Sequence, residues 1–146
     1  MTNGFKEQYN PPKSVIDNLK LLADNILEPI RDRYGAFAVT CAYRCPRVNK
    51  AVGGASNSEH LYGKAIDETF IDGGKNVCND VANWLIYDSG LKWSKLILEY
   101  PFKDTDGRIN YRWLHIGYDT DNLKNEILIA KKSKEGKVIY EVFKKN

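Results

Sequence analysis

Between Ser14 and Gly35 the chain repeats one hydrophobic stripe at helical spacing: Val15, Leu19, Leu22, Ile26 and Ile30, with Ile16, Ala23 and Leu27 beside them. A stripe of this length buries only one face of a helix, so the remaining chain must supply the apolar surface it lies on. Ser14 is the expected cap and Gly35 the stop. Pro29 removes a backbone donor inside the stripe and predicts a kink near Glu28. The opposing surface reads as short strands: Phe37–Tyr43 running into Arg44-Cys45-Pro46, Lys64–Phe70, Leu96–Tyr100, Arg112–Tyr118, and a hairpin of Glu126–Ala130 with Lys137–Phe143 around Lys134-Glu135-Gly136. A second helix is expected over Asn76–Ser89, with Val77, Val81, Trp84 and Leu85 on one face. A long aperiodic loop, Arg47–Tyr62, carries Gly53-Gly54 and Ser56-Asn57-Ser58. The fold class is therefore α+β: an antiparallel sheet of about four to six strands, two main helices on one face and a cleft on the other.

The 146 residues fit a single domain spanning 1–146, with residues 1–12, ending in Pro11-Pro12, as an extended N-terminal arm. No apolar run reaches the ~18 residues of a membrane span, and no basic-then-apolar start marks a signal peptide. The net charge of +3 is far from a nucleic-acid-binding field, so no nucleic-acid partner is expected. A monomer is expected. The three cysteines, Cys41, Cys45 and Cys78, lack metal-ligand spacing. Cys41 and Cys45 on an extended segment stand too far apart to bridge, so all three read as reduced thiols. A cysteine peptidase built on Cys41 or Cys45 is disfavoured, because neither reads as lying in a loop-to-helix setting that would lower its pKa.

Any imidazole chemistry must use His60 or His115, the only two histidines. The block Ser58-Glu59-His60-Leu61-Tyr62-Gly63-Lys64-Ala65-Ile66-Asp67 ends in a strand whose period of two puts Gly63, Ala65 and Asp67 on one face, leaving room before the carboxylate. Downstream, Trp113, His115 and Gly117 share a strand face while Leu114 and Ile116 point away. Two imidazoles and a carboxylate are the ligand set of a catalytic zinc. Either histidine is equally readable, from spacing alone, as a satisfied core or surface residue.

Ser58, His60, Gly63, Ala65 and Asp67, followed by Glu99 and Trp113-Leu114-His115, resemble the motifs of the zinc D-alanyl-D-alanine peptidase family. Upstream, Tyr43-Arg44-Cys45-Pro46, Val48-Asn49 and Ala51-Val52-Gly53-Gly54 are similar to its branch of bacterial and prophage cell-wall peptidases and endolysins; the likeness runs from Phe37 to Ala130. The resemblance implies a hedgehog/D-Ala-D-Ala peptidase-like fold and a Zn2+ held by His60, Asp67 and His115. Several members carry a carboxylate three positions before the second histidine, where this chain has Arg112, which cannot accept a proton; other relatives, including the hedgehog signalling domain, place a glutamate on the preceding strand, and Glu99 resembles that residue as the catalytic base. Arg44 resembles the family's anion-binding arginine. Ser58 is expected either to bond the substrate or to order its own loop, and Trp113 to form a cleft wall. Cys45 stands where relatives commonly have serine.

The implied reaction is zinc-dependent hydrolysis of peptidoglycan stem or cross-link peptides, as a D-Ala-D-Ala carboxypeptidase or an endolysin-type endopeptidase. The rival is a non-catalytic, zinc-stabilised module binding cell wall or protein, which Arg112 favours. The expected location is synthesis in the cytoplasm without a signal peptide, with action at the cell wall after release by a holin or lysis.

Overall fold

The computed structural model describes residues 4–146. One sheet organises them, with strands β1 (Ala65–Glu68), β4 (Lys95–Lys103), β5 (Ile109–Gly117), β6 (Glu126–Lys132) and β7 (Val138–Val142) in the order β1-β5-β4-β6-β7. Every pairing is antiparallel except β4 with β6, which run parallel because the chain crosses the sheet end after β5 before starting β6. Two short strands, β2 (Ile71–Asp72) and β3 (Lys75–Asn76), form a separate hairpin.

Period two divides the sheet into chemically different faces. Ile66, Leu96, Leu98, Leu114, Ile116 and Ile127 point to one side and are buried in the core. Against them lie Leu22, Ile26 and Ile30 of the first helix and Val81, Ala82 and Leu85 of the second. The expected layering, helices on one face and a cleft on the other, is what forms.

The first helix runs as α1 (Lys13–Leu22), a π turn (Ala23–Leu27) and α2 (Glu28–Tyr34). Pro29 would clash with the carbonyl four residues earlier, and the helix widens into the π turn just upstream to accommodate it. It begins at Lys13, with Pro12 as the flanking residue, and Ser14 is inside the first turn rather than capping it. The extended ψ of Pro12 sets this start, and its carbonyl already accepts from Val15 and Ile16 N–H. The second helix is α4 (Cys78–Asn83), followed by another π turn (Trp84–Asp88).

Three local expectations are corrected. Phe37–Tyr43 is not a strand: it makes one isolated bridge, Cys41 with Asp67. It flanks a four-residue edge strand, and side chains take over its ladder, Thr40 N–H donating to Glu68 Oε2. The loop after it holds α3 (Pro46–Ala51), with Pro46 in the first turn where no donor is needed, and a 3-10 turn (Glu59–Tyr62). Within the expected extended arm, Lys6–Tyr9 is also a 3-10 turn, while residues 1–3 lie outside the described residues. Gln8 docks this turn, its amide donating to Tyr43 O at 2.7 Å and accepting from Cys45 N–H at 2.8 Å. Among the described residues, no helix is long and apolar enough to cross a membrane.

Gly63 has φ +69°, and a Cβ there would stand 2.7 Å from Val15 O of α1. Its smallness therefore serves helix packing rather than leaving room before Asp67. Gly63→Ala should lower unfolding free energy by about 2 kcal/mol or more, since left-handed strain and backbone overlap add; urea denaturation measures it.

Candidate metal centre

The register of β1 on β5 sets Asp67 directly opposite His115, and β4 adds Ile97 to the same row. On the face away from the helices, these residues form the floor of a cavity of about 390 Å³ whose walls include Arg44, Ser58, Lys95, Glu99 and Tyr140. His60 enters from the 3-10 turn. Ser58 Oγ accepts its backbone N–H at 3.3 Å, and left-handed Gly63 ends the turn.

His60 is 1% exposed. Its Nδ1 lies 2.6 Å from Ala42 O, and a carbonyl only accepts, so Nδ1 is the donor and carries the proton. In the neutral ring Nε2 then presents a lone pair. It lies 3.1 Å from Asp67 Oδ2, yet it is buried without a hydrogen-bond partner. A lone pair facing a carboxylate oxygen is repulsive unless a cation lies between them, so the donor set fits a metal ion.

His115 meets carboxylates on both sides, Nδ1 at 3.1 Å from Asp67 Oδ1 and Nε2 at 3.2 Å from Glu59 Oε1. Burial alone would lower its pKa, but the bonds to Asp67 and Glu59 prevail and raise it to about 9. Burial likewise works against ionised Asp67, and the hydrogen bond to His115 is the first of the influences that oppose it, holding the carboxyl well below the usual range. Glu59 is fixed in turn by Ser94 Oγ, which donates to its other oxygen. A Cβ at Gly117 would run into both groups, so the glycine after the Leu114-His115-Ile116 run makes room for the Glu59 carboxylate.

Of the remaining expected residues, Arg44 lines the cavity with a guanidinium nitrogen 3.8 Å from Asp67 Oδ2 and with Nε buried and unpartnered. Glu99 faces the cavity from β4; burial first, and then the Asp67 charge, push its carboxyl up to about 7, with His115 opposing. The next residue, Tyr100, has φ +55°, a strained conformation beside the site. Trp113 packs its ring on Tyr100 at 5.0 Å and is absent from the cavity lining. Arg112 is exposed and its guanidinium lies over the Phe102 ring, on the side of β5 away from His115, so its charge does not enter the cavity. Cys45, contrary to the sequence reading, does sit at a loop-to-helix junction, flanking α3, but it is wholly buried outside the cavity.

Sequence reasoning missed Glu59, Ser94, Lys95 and Tyr140, and it took Cys41 for a reduced thiol and a disfavoured nucleophile rather than a neighbour of the site. Glu59 had a visible signal, a carboxylate adjoining His60 within the motif. Ser94, Lys95 and Tyr140 had none, because only strand pairing brings them near.

An α+β domain with two imidazoles and a carboxylate on the open sheet face, and a further carboxylate across the cavity, has the architecture of a zinc peptidase. The family model for peptidase M15 matches residues 2–91, more than half of the chain, and the protein belongs to this family of zinc D-alanyl-D-alanine peptidases. Peptide substrates go with that membership. The match ends before Glu99 and His115, and sheet pairing brings both to the matched His60 and Asp67. No curated protein matches the chain.

Glu99 generates a prediction with a definite sign. A carboxyl whose folded pKa exceeds its unfolded value binds protons more tightly when folded, so stability falls as pH rises from the ordinary glutamate range of about 4.3 through about 7. In metal-free protein, Glu99→Gln should melt above wild type at pH 8, with the advantage gone near pH 4. Thermal denaturation across that range checks it, and parallel curves would contradict burial of the carboxyl.

Proposed function

We propose that the protein is a zinc-dependent hydrolase of peptidoglycan stem or cross-link peptides, with the ion held by His60, Asp67 and His115. The observation that carries this reading is the buried, unpartnered Nε2 of His60 aimed at an Asp67 carboxylate that also meets His115. Zinc bound by such a set lowers the pKa of a water and polarises a carbonyl.

The chain's own residues then have separable tasks. Glu99 has its pKa near neutrality, the value at which a carboxylate both accepts a proton from a nucleophilic water and returns it to a departing amine. Arg44 presents a permanently charged planar fork to the cavity, suited to a peptide carboxylate or a developing oxyanion. Ser58 orders the turn that carries His60. Glu59 and Ser94 hold His115 in orientation from behind, the arrangement that fixes ring position in metal sites. A carboxylate buried without a cation partner costs stability, and a purely structural zinc module has no need of Glu99.

Two measurements test the reading. Elemental analysis should find one zinc per chain in wild type and a sharp loss in His60→Ala and His115→Ala; stoichiometric zinc in the double variant would end it. Muropeptide digestion followed by mass spectrometry should show chelator-sensitive cleavage, and Glu99→Gln should retain zinc while lowering kcat about 100-fold or more. For Arg44, a substrate with a free carboxylate near the scissile bond should lose more affinity on Arg44→Ala than its amidated form; equal losses would assign Arg44 to the oxyanion instead.

A further inference from the structure

Among the described residues, Cys41, His60 and Asp67 form a group of potential ligand atoms that all lie within 4.8 Å of one another. Cys41 is the strand-bridge partner of Asp67: Asp67 N–H donates to Cys41 O at 2.9 Å. Directly paired residues project to the same sheet face, so Cys41 stands on the Asp67 side of the sheet edge, where it lines a neighbouring hollow that shares Arg44 with the cavity. The second observation is independent of the thiol: His60 Nε2, on a side chain 1% exposed, has no hydrogen-bond partner and points into this same group. Ligands of one tetrahedral ion stand roughly 3–4 Å apart, so little movement separates these atoms from a shared ion. Cys41 belongs to no regular strand, and that single bridge is the only ladder pairing its segment makes.

We propose that Cys41 is a ligand of this metal centre, closing on a thiophilic divalent cation held by His60 and Asp67 and taking the coordination position that a catalytic site leaves to water. The inference rests on the metal centre of the preceding section and adds a state to it. With His60, Asp67 and His115 as ligands the fourth position is open; with Cys41 engaged the site has the closed, four-ligand character of structural zinc. Engagement breaks the S–H bond, forms a sulfur–metal bond and releases the proton to solvent, so no oxidant or co-reactant is needed. Thiolate and imidazole together suit zinc and its softer congeners. A single chain thereby carries both an open and a thiol-closed form of one centre.

The test is Co2+ substitution of the full-length chain, because a cobalt–thiolate bond gives a near-ultraviolet charge-transfer band that nitrogen and oxygen ligands do not. Wild type should show this band with visible absorption typical of four-coordinate Co2+, and Cys41→Ser should bind Co2+ without it. Zinc affinity of Cys41→Ser, from competition with a chromophoric chelator, should fall by about tenfold or more, at least the loss typical of a removed metal-site contact. In unmodified protein, zinc should slow iodoacetamide labelling of Cys41 by roughly tenfold, because the free thiolate is the nucleophile; peptide mapping locates the label. Co2+ uptake with no thiolate band, or a band that survives in Cys41→Ser, overturns the Cys41 assignment and leaves the zinc reading standing. Failure of the folded chain to take up either Co2+ or Zn2+ overturns both.

Discussion

Everything distinctive about this protein converges on the Asp67 carboxylate. One oxygen faces His115 and the other faces His60 and Arg44, while the backbone of the same residue pairs with Cys41 on one side and His115 on the other. A carboxylate leaving bulk water needs compensating charge, and the groups that face it here come from three separate stretches of chain: the segment with Arg44, the turn with His60 and the strand with His115. Moving Asp67 by one residue in register would turn it to the helix-covered face, among Ile66, Leu96 and Leu114. The alternation of β1 is therefore a condition of the site as well as of the core.

The sheet explains how one small domain keeps a dry core and a polar cavity so close together. Along β4, Leu96 and Leu98 enter the core while Lys95, Ile97 and Glu99 face the cavity. The covered face gains from apolar burial at about 25 cal/mol per Å². The open face spends part of that gain on groups that would be better solvated elsewhere: Glu99 with its raised pKa, Arg44 with an unpartnered Nε, and His60 with an unsatisfied Nε2. Such frustrated groups cluster where ligands bind. Glycine placement supports the same division, Gly63 letting α1 approach the turn that carries His60 and Gly117 admitting Glu59 behind His115.

Membership of a zinc peptidase family and the local geometry bear on one another. The family match covers the motif-rich first part of the chain, whereas His115 and Glu99 come from the later strands. The later strands complete a cavity that the matched residues only begin. Tyr140 of β7 adds the far wall, so even the exposed terminal hairpin contributes to its shape.

The sequence by itself determined what depends on local periodicity and residue chemistry. The helical stripe from Val15 to Ile30, the second helix, the strands that include Ile66, Leu98, Leu114 and Ile127, the terminal hairpin and the separation of helices from cleft were all legible. So was the family, because motif chemistry is written in short runs, and the fold gathers the candidates that those runs named, His60, Asp67, His115, Glu99 and Arg44, at one cavity. Tertiary structure alone decided matters set by pairing between distant segments. It reduced Phe37–Tyr43 to one bridge, because a short edge strand and nearby side chains satisfied the backbone differently. It turned Arg112 out of the cavity and Trp113 onto Tyr100, and brought Glu59, Ser94 and Cys41 around the two histidines. Register and hydrogen-bond satisfaction are non-local: each backbone or buried polar group takes whichever partner the assembled fold offers, and no window of sequence contains that partner.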